Sequence, residues 1–146
     1  GIELTFTVPH ADQAITELTE KYAGDDNVII GAGTVLDAVT ARIAIIDGAE
    51  FIVSPSFNPE VAKVCNLYSI PYTPGCLTPT EIQHALEAGV DLVKLFPGSV
   101  AGPGTVPERL NHADRRRVAG QHGGLVQGRR HGCRRWLQPD GCGQNR

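Results

Sequence analysis

The chain has little of several features that mark whole classes of protein. Its 146 residues contain no apolar run near the roughly 18 residues that a membrane span needs. Residues 1–4 have neither the basic start nor the apolar stretch of a signal peptide. The histidines form no metal-binding pattern, and no CxxC or Cys/His metal spacing occurs among the four cysteines, which are Cys65, Cys76, Cys133 and Cys142. These absences predict a reduced, cytoplasmic chain without a metal site or a membrane partner.

Lysine is also scarce, with only Lys21, Lys63 and Lys94 in the chain. Lys94 alone interrupts an apolar, strand-like segment, residues 91–97. Burial disfavours the ammonium form of a lysine and favours the free amine that a Schiff-base nucleophile requires. The alternative is an edge-strand lysine whose amine reaches solvent.

Charge divides the chain into two parts. Residues 1–111 carry 14 acidic and 5 basic residues, whereas residues 112–146 carry 2 acidic residues and 8 arginines. The first part alternates short apolar runs with amphipathic stretches, and the second has no apolar periodicity. We therefore predict a folded domain over residues 1–111 and a basic, largely irregular tail over residues 112–146.

The alternation predicts a β-α-β-α-β-α-β-α-β order with short loops. Predicted strands cover Ile2–Phe6, Asn27–Ala32, Phe51–Val53, Ile70–Thr73 and Leu92–Phe96, and predicted helices cover Pro9–Tyr22, Leu36–Asp47, Pro59–Leu67 and Thr78–Glu87. This pattern requires a parallel sheet covered by helices. A TIM barrel is favoured, although an open doubly wound sheet would also place its site at the strand ends.

Glu3 lies inside the first predicted strand, between Ile2 and Leu4. In a barrel it would point to the centre and could shuttle protons for Lys94; otherwise it is an edge glutamate facing water. The Gly31-Ala32-Gly33-Thr34 run resembles a nucleotide motif only weakly, because Leu36 occupies the place of the third glycine. A tight turn that presents the Thr34 hydroxyl is the simpler interpretation.

Five short motifs together resemble the 2-keto-3-deoxy-6-phosphogluconate (KDPG) and 4-hydroxy-2-oxoglutarate (KHG) aldolase family. They occur in that family's order and spacing, over residues 1 to about 111. The motifs are Ile2-Glu3-Leu4-Thr5, Gly31-Ala32-Gly33-Thr34-Val35, Val53-Ser54-Pro55, Pro74-Gly75 and Val93-Lys94-Leu95-Phe96-Pro97.

The resemblance implies an α/β fold that is a partial TIM (β/α)₈ barrel of about five parallel strands, incomplete at its N-terminus. It also implies a class I aldolase that uses no metal or other cofactor and assembles as a homotrimer. Lys94 matches the family's Schiff-base lysine and Glu3 its acid/base residue. The substrate-binding positions correspond to Thr34, Pro55, Phe96 and Thr7. Thr7 stands where many members have a carboxylate-binding arginine.

The implied reaction cleaves 2-keto-3-deoxy-6-phosphogluconate to pyruvate and glyceraldehyde 3-phosphate. The 6-phosphogalactonate epimer and 4-hydroxy-2-oxoglutarate are alternative substrates. An alternative of another class is an inactive fragment whose basic tail binds nucleic acid, with salt-dependent affinity. The tail has no recognisable nucleic-acid-binding module, so we expect no nucleic-acid partner.

The tail lacks the two glycine-rich, phosphate-binding turns that the family would supply. Read one base later, the codons for residues 112–119 admit Met-Pro-Thr-Gly-Gly-Val-Ser, and those that begin at Cys133 admit Val-Gly-Val-Gly-Ser-Asn. Both missing motifs thus return in one frame, which indicates a frameshift product from about residue 112. Sequencing the coding DNA tests this hypothesis, which fails if the reading frame is unbroken near the codon for Asn111.

Overall fold

A computed structural model describes residues 1–101 and a short strand at residues 117–119. The remaining residues of the predicted out-of-frame tail lie outside the described residues. The strands are β1 (Ile2–Thr5), β2 (Ile30–Gly33), β3 (Phe51–Ser54), β4 (Tyr72–Cys76), β5 (Leu92–Leu95) and β6 (Arg117–Ala119). The helices are α1 (Ala11–Lys21), α2 (Ala38–Ile46), α3 (Pro59–Tyr68), α4 (Pro79–Glu87) and α5 (Gly98–Ala101).

The six strands form one parallel sheet whose spatial order is the order of the sequence, from β1 to β6. A doubly wound sheet reverses its strand order at a switch point, and this sheet does not. The five predicted strands and the barrel-type connectivity are therefore confirmed. The sixth, β6, pairs with β5 in a segment that the sequence predicted to be largely irregular.

Two predicted strands are displaced from their observed positions. Strand β2 begins at Ile30 because the preceding residues form a turn, in which the Asp25 carboxylate accepts hydrogen bonds from the backbone and side chain of Asn27. Strand β4 extends through Pro74 and Gly75 to Cys76, beyond the predicted end at Thr73. Proline and glycine normally weaken a strand, so both positions need a local explanation.

Helix α4 shows how the sequence fixes an element boundary. The Thr78 hydroxyl accepts from the Glu81 backbone N–H at 3.3 Å, and the Glu81 carboxylate accepts from the Thr78 N–H at 2.8 Å. This reciprocal pair is a capping box. The backbone N–H groups of Thr78 and Leu77, which both donate to the Glu81 carboxylate, lower the pKa of Glu81.

The hydrophobic core lies between the sheet and the helices. It joins Ile30, Ala32, Ile52, Tyr72 and Val93 of the sheet to Ile15, Ala41, Ala44, Val61, Cys65 and Ala85 of the helices. Side chains alternate between the faces of a strand, so the intervening strand residues face away from these helices. No helix in the described part of the chain is long and apolar enough to cross a bilayer.

Candidate active site

The face of the sheet opposite the helix-packed core carries the candidate active site. Strand pairing and alternation place ten residues of β1 to β5 on it: Glu3, Thr5, Gly31, Gly33, Phe51, Val53, Thr73, Gly75, Leu92 and Lys94. Glu3 and Lys94 are the two ionisable residues of that set. In a barrel this face is the interior, so the predicted inward orientation of Glu3 agrees with the observed register.

Lys94 lies on β5 beside Gly75 of β4 and is half-buried. Its Nζ lies 4.8 Å from the centre of the Phe96 ring. The other two lysines are exposed, and Lys63 forms an ion pair with Glu60 at 2.6 Å. Among the described residues, no carboxylate forms an ion pair with Lys94. Its amine is therefore shielded by an aromatic ring rather than neutralised by a described acid.

Glu3 lies on β1 beside Gly31 of β2. Its carboxylate rests on Gly33, where a Cβ would overlap the Glu3 oxygen. Gly33 therefore leaves the space that the Glu3 carboxylate occupies. Thr34 follows directly and has a φ of 57°, a left-handed conformation that is unusual for a β-branched residue. Such strain is typical of functional sites.

Gly75 leaves space for the backbone of the loop between β3 and α3. A Cβ on Gly75 would overlap the carbonyl oxygen of Pro55, in the segment that joins β3 to α3. Since Gly75 is also the register partner of Lys94, the Pro55 segment lies over the strand adjacent to the lysine. This close approach explains why β4 has a glycine at this position.

Thr7 is exposed, and its hydroxyl lies 2.8 Å from that of Thr5. Thr5 pairs with Gly33 at the carboxyl end of β1. The hydroxyl pair therefore lies at the same end of the sheet as Thr34, Pro55 and Phe96, which follow β2, β3 and β5. The predicted site residues all belong to one face or to this one edge.

The register adds a stagger that sequence reasoning could not see. Glu3 of β1 pairs with Gly31 of β2, which pairs with Phe51 of β3. On the same face, Val53 of β3 pairs with Thr73 of β4, and Gly75 of β4 pairs with Lys94 of β5. Because Val53 and Gly75 each lie two residues beyond the preceding partner, Lys94 is offset from Glu3 by four positions over four strand steps. An eight-stranded barrel with a shear of eight has one position per strand. The observed stagger has that size.

Other chemistries find less support in the described residues. Burial raises the pKa of Cys65 to about 12 and that of Cys76 to about 11, so neither thiol is a nucleophile at neutral pH. Within residues 1–101, no three His, Cys, Asp or Glu side chains gather closely enough to hold a metal ion. The lysine on the helix-free face is the stronger candidate nucleophile.

The sequence motifs include Thr5, Gly33 and Gly75 but give them no role in the site, and Phe51 and Thr73 carry no motif at all. The available signal was glycine inside a strand, which marks a close approach of other atoms. In this chain those atoms are the Glu3 carboxylate and the Pro55 carbonyl.

A sequence model of the KDPG and KHG aldolases matches residues 1–108. The chain belongs to this family. It is 42% identical over 101 residues to a 2-dehydro-3-deoxy-phosphogluconate aldolase of Treponema pallidum, covering 69% of this chain and 47% of that protein. It is 36% identical over 103 residues to a 2-dehydro-3-deoxy-6-phosphogalactonate aldolase of Escherichia coli, covering 70% and 49%.

The fold agrees with that of a solved KDPG aldolase from Legionella pneumophila, which holds pyruvate as a covalent carbinolamine. The TM-score is 0.63 with 30% identity, over 68% of this chain and 47% of that one. The chain spans about half the length of the curated relatives it matches. The predicted family is confirmed.

Gly33 and Gly75 predict opposite consequences of adding a methyl group. In Gly75→Ala the new Cβ meets backbone, which cannot rotate away, so we expect a loss of about 1–3 kcal/mol in unfolding free energy. In Gly33→Ala it meets the end of the flexible, exposed Glu3 side chain, so the loss should be much smaller. Thermal unfolding of the two variants measures the difference, and equal midpoints would contradict it.

Proposed function

We propose that this chain is a class I aldolase, a carbon–carbon lyase that cleaves 2-keto-3-deoxy-6-phosphogluconate to pyruvate and glyceraldehyde 3-phosphate. The observation that carries the proposal is that one lysine, Lys94, and one carboxylate, Glu3, lie on the same helix-free face of a barrel-type sheet. Nothing in the proposed reaction calls for a metal or another cofactor. A homotrimer and a cytoplasmic location stay predictions.

Lys94 supplies the covalent chemistry in this proposal. Its amine adds to the C2 ketone, and loss of water from the carbinolamine gives an iminium. Removal of the C4 hydroxyl proton then breaks the C3–C4 bond, and the electron pair passes into the iminium to form an enamine. Glyceraldehyde 3-phosphate leaves. Protonation at C3 and hydrolysis of the imine release pyruvate and restore the free amine.

Glu3 moves the protons of these steps. Its carboxylate is exposed and lies over Gly33, and no lysine or arginine within residues 1–101 forms an ion pair with it. Carbinolamine dehydration needs an acid, and cleavage needs a base, so one carboxylate that alternates between both forms serves the two steps. Its position on the Lys94 face and the four-residue stagger support this role.

The remaining residues hold the substrate in this proposal. Phe96 and Pro55 pack around the pyruvyl group, since one contacts Lys94 and the other covers the adjacent strand. Thr34 presents its hydroxyl to the carboxylate. Thr7, with Thr5, offers neutral hydroxyls where an arginine would offer a fork of charged donors.

Thr7→Arg should therefore strengthen pyruvate binding. A charge-assisted bidentate contact replaces a hydroxyl, so we expect the pyruvate concentration for half-maximal imine formation to fall about tenfold. The matched control is Val8→Arg, which adds the same charge at the neighbouring, 57% exposed position. Titration of pyruvate in borohydride trapping measures both. Equal effects of the two variants would indicate general charge rather than a specific contact.

The decisive experiment separates the imine step from phosphate recognition, because residues 112–146 contain neither glycine-rich turn of the resemblance. An enamine exchanges its C3 protons with solvent, so we expect the chain to exchange the methyl protons of pyruvate in D₂O, followed by proton NMR. Cleavage of the gluconate acid, its galactonate epimer and 4-hydroxy-2-oxoglutarate is then compared through pyruvate release. A folded chain that catalyses no exchange would refute the proposed function.

A further inference from the structure

Ser54 is the one fully buried polar side chain among the described residues, with 1% of its surface exposed. It ends β3 on the helix-packed face, and its hydroxyl lies 2.6 Å from the hydroxyl of Tyr72 on the neighbouring strand. Tyr72 is also buried, with 6% exposed. A buried hydroxyl without partners costs about 1–3 kcal/mol, so what these two groups bond to matters.

Proton counting gives the pair a direction. Both hydroxyls reach the Ser56 carbonyl, Ser54 at 2.6 Å and Tyr72 at 3.3 Å. When Ser54 donates in the shorter of these two bonds, the proton between the two hydroxyls comes from Tyr72. Tyr72 in turn accepts from the backbone N–H of Asn58 at 3.2 Å. Burial raises the pKa of Tyr72, which keeps its phenol protonated and able to donate. Both side chains are thus satisfied by each other and by the loop.

The loop that these bonds hold is the one that carries Pro55. Its two anchored backbone groups, at Ser56 and Asn58, lie one and three residues after Pro55, whose carbonyl oxygen rests against Gly75. Gly75 is the register partner of Lys94. A continuous set of contacts therefore runs from the buried hydroxyls, through the loop, to the strand beside the lysine.

We propose that Ser54 and Tyr72 are positioning residues that hold the Pro55 loop as a wall of the pyruvyl pocket from the opposite face of the sheet. This role rests on the proposed function. Neither hydroxyl touches the substrate. A wall that contacts the pyruvyl group equally in the ground state and the transition state changes KM and leaves kcat unaltered.

The test uses Tyr72→Phe in the full chain, which removes the hydroxyl and keeps the ring in the core. We expect KM for pyruvate in the D₂O exchange reaction to rise about tenfold, with kcat within about twofold of the parent. The matched control is Tyr68→Phe, which removes a phenol hydroxyl at the end of α3, where the side chain is 41% exposed. It should leave both constants unchanged.

A second variant guards against a simple loss of stability. Ser54→Ala breaks the same set of bonds at its other end, so the double variant should raise KM no further than the larger single effect. The Asn58 amide, which donates to Tyr72, should also lose protection from hydrogen exchange in Tyr72→Phe. Additive KM effects, or an unchanged KM with an unprotected Asn58 amide, would refute the positioning role and leave the proposed function intact. A folded parent chain without exchange activity would refute the proposed function and this role with it.

Discussion

Lys94→Arg should abolish the covalent adduct with pyruvate. The guanidinium keeps the positive charge and much of the side-chain volume, but it stays protonated and cannot add to a ketone. Reduction with borohydride in the presence of pyruvate should add a reduced pyruvyl group to the peptide that contains Lys94. In Lys94→Arg we expect no adduct and a fall in pyruvate exchange of roughly 10³-fold or more.

The chain offers matched controls because it has just three lysines. Lys21→Arg and Lys63→Arg make the same chemical change at exposed positions on helices, one beside Tyr22 and one paired with Glu60. Both should retain the full adduct. Labelling of all three lysines would indicate nonspecific imine formation on the surface. An adduct that still forms in Lys94→Arg would show that another residue is the nucleophile.

The outline of the fold could be read from the sequence because its signals are local. Apolar runs, amphipathic periods and the Thr78–Glu81 capping box each act within a few residues, and the structure contains all of the predicted strands and helices. Errors arose where a residue serves a distant contact. The predicted strand stops at Thr73, yet Gly75 lies inside β4, where the Pro55 backbone occupies the space that a side chain would take.

The site itself depends on pairing, which no single segment encodes. Sequence reasoning could propose Glu3 and Lys94 as partners, since a carboxylate and a lysine inside apolar strands are each unusual. It could not supply the register that places both on one face, nor the stagger of four positions between them. The Ser54–Tyr72 hydrogen bond is invisible for the same reason, because its partners are 18 residues apart on neighbouring strands.

Glu3→Gln should separate imine formation from proton transfer. The amide keeps the shape and the place over Gly33, but it can neither accept nor release the proton that each step needs. General acid–base groups contribute about 10²- to 10⁴-fold, so we expect pyruvate exchange to fall within that range. Lys94 remains, so the borohydride adduct should still form, more slowly, and reach the same final yield.

Gly33→Ala provides a second approach to the same carboxylate. Its methyl group would occupy the space of the Glu3 oxygen and push the side chain away, so exchange should fall although Glu3 is still present. Because the displaced group is a flexible side chain, the fold should remain intact. Combining the two changes should cause little further loss, since a displaced carboxylate and an absent one are equally unable to move the proton. Full exchange activity in Gly33→Ala with impaired Glu3→Gln would mean that Glu3 acts from another position.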